Sequence, residues 1–314
     1  MKKKAIIISI KGPMLTTKER TLFSNDKPWG LILFKRNIIS LNQIKKLISE
    51  IKKITKDKKF PILIDEEGSS VSRLKNILNH NFEANYFGNL YNLDNKIGLA
   101  LYKKYLESLC KNLKEIGINV NTIPVLDVLR KNTNKIIGKR AFSKNKKIVQ
   151  KLGEVAVRKC HSQKIITVIK HIPGHGCSSV DSHLSLPKVN FNIDLLERED
   201  FFPFKYSSAK LAMTAHILYS KIDSKNVSTF SNKVIKKIIR EKIGFKGIIM
   251  SDDISMKALK FDLLTNAKKS LEAGCNLVLY CAGKTNDNFK LIKSLPYIDN
   301  FTIKKTSEFY KFLR

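Results

Sequence analysis

Acidic side chains, cysteines and long apolar runs are all scarce in this 314-residue chain, and each shortage closes off a class of protein. Asp and Glu number 27 against 59 Lys and Arg, a formal net charge of +32. Such an excess can mark a binder of nucleic acid or of an anionic surface. The distribution argues otherwise: lysines sit on the polar side of predicted helices such as "IKKLISEIKKITKDKK" and "VIKKIIREK", without the aromatic interleaving that stacks bases. Lys, Asn and Ile are all abundant, so we read the charge as a compositionally biased, solvated surface with no specific nucleic-acid partner. The five cysteines (Cys110, Cys160, Cys177, Cys275, Cys281) form no CxxC pair and no metal spacing, and their odd number favours a reducing, cytoplasmic setting. No apolar run approaches the roughly 18 residues of a membrane span. The run after the basic start, AIIISI (5–10), falls short of the about 7–15 residues of a signal-peptide core, and we read it as a strand. No linker, low-complexity segment or internal repeat divides the chain, so one domain over residues 1–314 is expected.

What is present is a recurring local order of amphipathic helix, glycine and apolar strand. It occurs in "CKNLKEIGINVNTIPV", "VIKKIIREKIGFKGIIM" and "AKKSLEAGCNLVLY", with Gly117, Gly244 and Gly274 where a left-handed helix cap is needed. Leu41, Ile44, Leu47, Ile48, Ile51 and Ile54 recur at three to four residues, as do Tyr105, Leu106, Leu109, Leu113 and Ile116, which predicts single-face helices. Eight apolar runs fall between such helices: AIIISI (5–10), GLILF (30–34), PILID (61–65), INVNTIPV (118–125), ITVIK (166–170), LAMTAH (211–216), GIIMSD (247–252) and NLVLYC (276–281). Near-continuous apolar strands alternating with helices mean a covered parallel sheet, and eight of them fit a TIM (β/α)8 barrel. An open doubly wound sheet is the alternative, but its GxGxxG fingerprint is missing after the first strand, where the chain reads "KGPML".

In such a barrel the reacting groups gather at the C-terminal ends of the strands. Asp65 and Glu67 follow the third run, Asp127 the fourth, Lys170 and His171 the fifth, His216 the sixth, Asp252 and Asp253 the seventh. The densest stretch is "KHIPGHGCSSVDSH" (170–183). His171 and His175 have the HExxH spacing, but that motif works on a helix, which Pro173, Gly174 and Gly176 forbid. A zinc site built in the loop from His171, His175 and His183 is the lesser alternative, and the P-loop order is absent. The acid/base reading is stronger. Asp181 and His183, at i and i+2, let a carboxylate orient an imidazole and favour its charged form, while Asp252 supplies a nucleophile. "SDD" also suits a helix N-cap before "ISMKALK", with Asp253 capping and Asp252 reacting. No metal and no cofactor are expected.

The segments "LILFKRN", "ILIDEEGSSVSRL", "PVLDV", "GKRAF", "KHIPGHGCSSVDSHLSLP", "AMTAHILYS" and "GFKGIIMSDDISMKAL" together resemble the single-domain β-N-acetylglucosaminidases of glycoside hydrolase family 3, enzymes of bacterial cell-wall recycling. The resemblance implies a retaining exo-glycosidase with Asp252 as nucleophile and His183 as acid/base, oriented by Asp181 on a mobile loop after the fifth strand. It implies that Asp65, Arg73, Arg140, Lys170 and His171 hold hydroxyls of a terminal N-acetylglucosamine; His175 and His216 match family positions too, and we assign them support, positioning a loop or lining the pocket floor. A histidine acid meets the chemical need because it titrates near neutrality. The implied partner is a glycan, an N-acetylglucosaminyl muropeptide, turned over by a monomer. A related phosphorylase or a glycosidase of other preference is the alternative. Four positions depart from the family pattern: Ser69 and Ser70 in "EGSSV", Lys139 before Arg140, and Cys177 after "PGHG".

Overall fold

The computed structural model describes residues 2–78, 82–182 and 185–313. All eight predicted strands form: Lys4–Ile8, Pro28–Leu33, Ile62–Ile64, Val120–Asn121, Ile166–Ile172, Leu211–Thr214, Ile248–Asp253 and Leu277–Tyr280. They pair in parallel in chain order, and the eighth closes on the first, with Ile6 opposite Val278 and Ile8 opposite Tyr280. The architecture is a TIM (β/α)8 barrel.

The helices form for the reasons their spacing gives. Leu41–Ile54, capped by the Ser40 hydroxyl, buries Ile44, Leu47, Ile48 and Ile51 against the sheet. Asn95–Ile116 buries Leu106, Leu109, Leu113 and Ile116. The three glycines after helices have φ of +97° (Gly117), +75° (Gly244) and +113° (Gly274), a backbone region costly to any residue with a Cβ. A second apolar core fills the barrel itself, with Ile7, Leu63, Val120, Ile166, Val168, Leu211, Met250 and Leu277 among its members. Because side chains alternate along a strand, inward Ile166 and Val168 aim Lys170 inward too, at the barrel mouth.

Two expectations need correction, and one feature is new. The fourth strand is two residues long, Val120–Asn121, rather than eight; past Pro124, which has no N–H to give a ladder, Val125 rejoins through a single bridge to Lys170. No helix covers "ISMKALK". The Asp253 carboxylate accepts the backbone N–H of Ser255, which closes a turn, and the next helix, Leu263–Glu272, is capped by Asp262 instead. A parallel pair outside the barrel, Lys188–Val189 with Leu218–Tyr219, was not foreseen. Among the described residues no helix is long and apolar enough to cross a membrane.

Candidate active site

At the C-terminal mouth lies a cavity of about 370 Å³, bordered by Asp65, Arg73, Arg140, Lys170, His171 and Asp252. These are six of the eight residues expected from the sequence. Asp181 is half-buried, and its neighbour Ser182 borders the cavity. His183 lies outside the described residues.

Lys170, at 3% side-chain exposure, organises one wall. Its Nζ lies 2.5 Å from Glu67 Oε1 and 3.4 Å from Asp65 Oδ1, and it donates to Thr122 Oγ1 at 2.8 Å. Arg140 forks onto Glu67 at 2.7 and 2.9 Å, and Arg73 Nη2 donates to Asp65 at 2.9 Å. Burial alone would raise both carboxylates. Lys170 and Arg73 outweigh it at Asp65, which is held well below the usual range, and Arg140 and Lys170 hold Glu67 at about 2. Burial likewise opposes the charge on Arg140, yet Glu67 leaves its pKa raised. Both carboxylates are therefore ionised at working pH and act as charge partners, not as proton donors.

Asp127, fully buried, fixes His171. Its Oδ2 accepts from His171 Nδ1 at 2.7 Å, and its Oδ1 accepts the backbone N–H groups of His171 at 3.3 Å and His175 at 2.6 Å. Burial pushes this carboxylate up, but His171 more than offsets that. With Nδ1 engaged, Nε2 is the ring nitrogen left for a ligand. His175 is 3% exposed, and burial drives its pKa down to about 4, so it is neutral. Its Nε2 lies 3.3 Å from Ser182 Oγ, tying the loop after the fifth strand to the mouth.

The two adjacent aspartates divide. Asp253 accepts from Ser255 N at 3.0 Å, Ser255 Oγ at 2.7 Å and Cys281 N at 3.2 Å, and burial raises its pKa. Asp252 Oδ1 accepts from Asp253 N at 2.8 Å beside the cavity. His216 does not border the cavity. It is fully buried between Thr229 Oγ1 at 2.7 Å and the Asp253 carbonyl at 3.0 Å, and burial lowers its pKa. The departures from the family pattern stand off the cavity. Ser69 and Ser70 hydroxyls both donate to Glu83 at 2.6 Å, Lys139 is exposed, and the Cys177 thiol lies 3.9 Å from the Gly174 carbonyl.

Sequence reading gave no role to Glu67, Asp127, Thr122 or Phe34. The first two were legible as strand-end carboxylates. Phe34, whose ring has the guanidiniums of Arg36 at 4.9 Å and Arg73 at 5.0 Å, carried no signal. Among the described residues no group of three or more His, Cys, Asp or Glu is arranged to hold a metal ion.

The sequence profile of the glycosyl hydrolase family 3 N terminal domain matches residues 6–306. A beta-hexosaminidase of Nitrosomonas eutropha is 31% identical over 281 residues, 88% of this chain and 80% of that one. Among solved structures, NagZ from Neisseria gonorrhoeae in complex with N-trifluoroacetyl-D-glucosamine superposes with a TM-score of 0.88 at 28% identity, covering 100% of this chain and 91% of that one. A glycoside hydrolase family 3 beta-N-acetylglucosaminidase from Paenibacillus sp. str. FPU-7 gives 0.87 at 25% identity, over 98% of this chain and 60% of that one. Profile, relatives and barrel agree over nearly the whole length, and the chain belongs to glycoside hydrolase family 3, as a glycosidase of its β-N-acetylhexosaminidase group.

Proposed function

We propose that this protein is an exo-acting retaining β-N-acetylglucosaminidase that removes terminal N-acetylglucosamine from (anhydro)muropeptides in peptidoglycan recycling. It works as a cytoplasmic, monomeric, single-domain enzyme without metal or cofactor. The observation that carries this reading is the cavity: a strand-end carboxylate, Asp252, shares it with a fixed set of donors and acceptors suited to one sugar ring. Asp65 accepts from hydroxyls, while Arg73, Arg140, Lys170 and His171 Nε2 offer complementary contacts. Such contacts strengthen as the ring flattens toward an oxocarbenium ion.

Asp252 attacks the anomeric carbon, and the bond to the leaving oxygen breaks as His183 gives it a proton. In the second half His183 takes a proton from water, which displaces Asp252 from the glycosyl-enzyme with net retention. Asp181 orients the imidazole. His175 is a poor competitor for the acid role, since it is neutral down to about pH 4.

The test is incubation with chromogenic β-N-acetylglucosaminide and β-glucoside side by side, with and without phosphate and after exhaustive EDTA treatment. Release from the first alone, indifferent to phosphate and chelator, is expected. Turnover that requires phosphate would make the protein a phosphorylase, and loss to EDTA with recovery on zinc would restore the metal reading.

A further inference from the structure

The loops after the fourth and fifth strands run in backbone contact across the mouth. A Cβ placed on Gly176 would lie 1.9 Å from the Val128 carbonyl oxygen, so only glycine permits this approach. Just beyond, two residues of the first loop grip the second. Thr133 Oγ1 donates to the Gly176 carbonyl at 2.6 Å and accepts the Arg130 N–H at 2.6 Å. Asn134 donates its backbone N–H to the Ser178 carbonyl at 2.9 Å and its side-chain Nδ2 to the Ser179 carbonyl at 3.0 Å. All three grips are on main-chain carbonyls, so they are indifferent to which side chains the gripped positions carry.

The gripping segment is itself pinned at both ends by charge. The Arg130 guanidinium forks onto fully buried Asp200, with Nε 3.1 Å from Oδ1. At the other end Arg140 forks onto Glu67. Arg140 Nη1 also donates to the Ile136 carbonyl at 3.0 Å, and the Ile136 N–H donates to Asn134 Oδ1 at 2.9 Å. A continuous hydrogen-bonded path thus joins a sugar-pocket arginine to the residue holding the Asp181 loop.

We infer that Thr133 and Asn134 are positioning residues, which hold the loop carrying Asp181 and Ser182 over the cavity and whose hold tightens when a sugar engages Arg140. The inference rests on the proposed acid/base role of Asp181 and His183. A looser loop misplaces the proton donor without changing the sugar pocket, so the loss falls on poor leaving groups.

Thr133→Val deletes both the donor to Gly176 and the acceptor for the Arg130 N–H at nearly constant volume, and Thr133→Ser restores them. Asn134→Asp keeps the acceptor for Ile136 but loses the donor to Ser179. Thr133→Val and Asn134→Asp are expected to lower kcat/KM on a disaccharide roughly three- to ten-fold, the scale of one or two hydrogen bonds, with little change on a nitrophenyl glycoside and with rescue in Thr133→Ser. Amide hydrogen exchange over residues 176–182 should quicken by a similar factor in the two variants. In the wild type N-acetylglucosamine should slow that exchange, and should do so less in Arg140→Lys. Unchanged exchange in both variants, equal losses on both substrates, or no response to N-acetylglucosamine would overturn the inference. A wild type inactive on both glycosides would sink the functional reading instead, a result read before any variant is made.

Discussion

Two layers of the same barrel differ in everything but geometry. Along the fifth strand, Ile166 and Val168 point into a dry floor shared with Leu211, Ile248 and Leu277, whereas Lys170, two residues on, meets Asp65, Glu67 and Thr122 at the mouth. The strand aims all three side chains alike, so depth alone decides whether a position holds methyls or charge. The floor also sharpens the mouth, because ion pairs over an apolar base are less screened than pairs in water. The cost is desolvation, offset here because Lys170 has three acceptors and Glu67 two cations.

The comparison breaks most visibly at Asp252. Asp252→Asn should cost roughly 10⁴-fold in turnover, the scale of losing a member of a covalent-catalysis set, while circular dichroism and melting stay those of the wild type. A mechanism-based fluorosugar should label Asp252; a label on Asp253 or Glu67 would move the nucleophile. Next in size, His183→Ala should lose about 10²–10⁴-fold more kcat/KM on a disaccharide than on an activated aryl glycoside, with Asp181→Asn a milder copy. Equal losses on both substrates, with the leaving-group dependence found in His175→Ala, would transfer the acid to His175.

Lys170→Ala and Ile166→Ala sharpen the division between the layers directly. The mouth variant should raise KM and some of the barrier, as should His171→Ala, since contacts to sugar hydroxyls strengthen in the transition state. The floor variant should lower unfolding free energy by about 2–5 kcal/mol and leave KM alone. A KM change in Ile166→Ala matching that in Lys170→Ala would erase the distinction.

The smallest effect is on stability in acid. His175, ordinarily near 6.5, has a folded value of about 4, so the unfolded chain binds the extra proton between those values and stability falls as pH drops through that window. Glu67, ordinarily near 4.5, is held at about 2; its contribution is full above pH 4.5 and is lost as pH falls toward 2. Urea unfolding across this range should show Glu67→Gln flattening only the lower stage. Flattening of the upper stage instead would mean that Glu67 is not the group tied to Arg140 and Lys170 in solution.

The barrel was legible because its signals are local: apolar runs a few residues long, and glycines at helix ends whose φ only glycine takes cheaply. Several strands were drawn too long, the fourth most of all, because a hydrophobicity pattern does not register where the ladder stops, as at Pro124, which has no N–H to give. His216 was misplaced for a related reason. The sixth strand ends at Thr214, and the chain beyond turns His216 under Asp253. The strand-end residues of the site were legible one by one, their partnerships were not. Glu67 answers to Arg140, 73 positions away, and nothing near either residue announces the other.

Closure of the barrel makes its first strand wait for its last. Lys4–Ile8 pairs on one side with Pro28–Leu33, close at hand, and on the other with Leu277–Tyr280. At synthesis rates of about 5–20 residues per second, the ribosome needs on the order of tens of seconds to deliver that second neighbour. Through that interval the nascent chain carries a row of isoleucines with one edge open, the kind of edge on which chains cross-pair. The formal net charge of +32 works against such pairing, because like-charged chains repel one another.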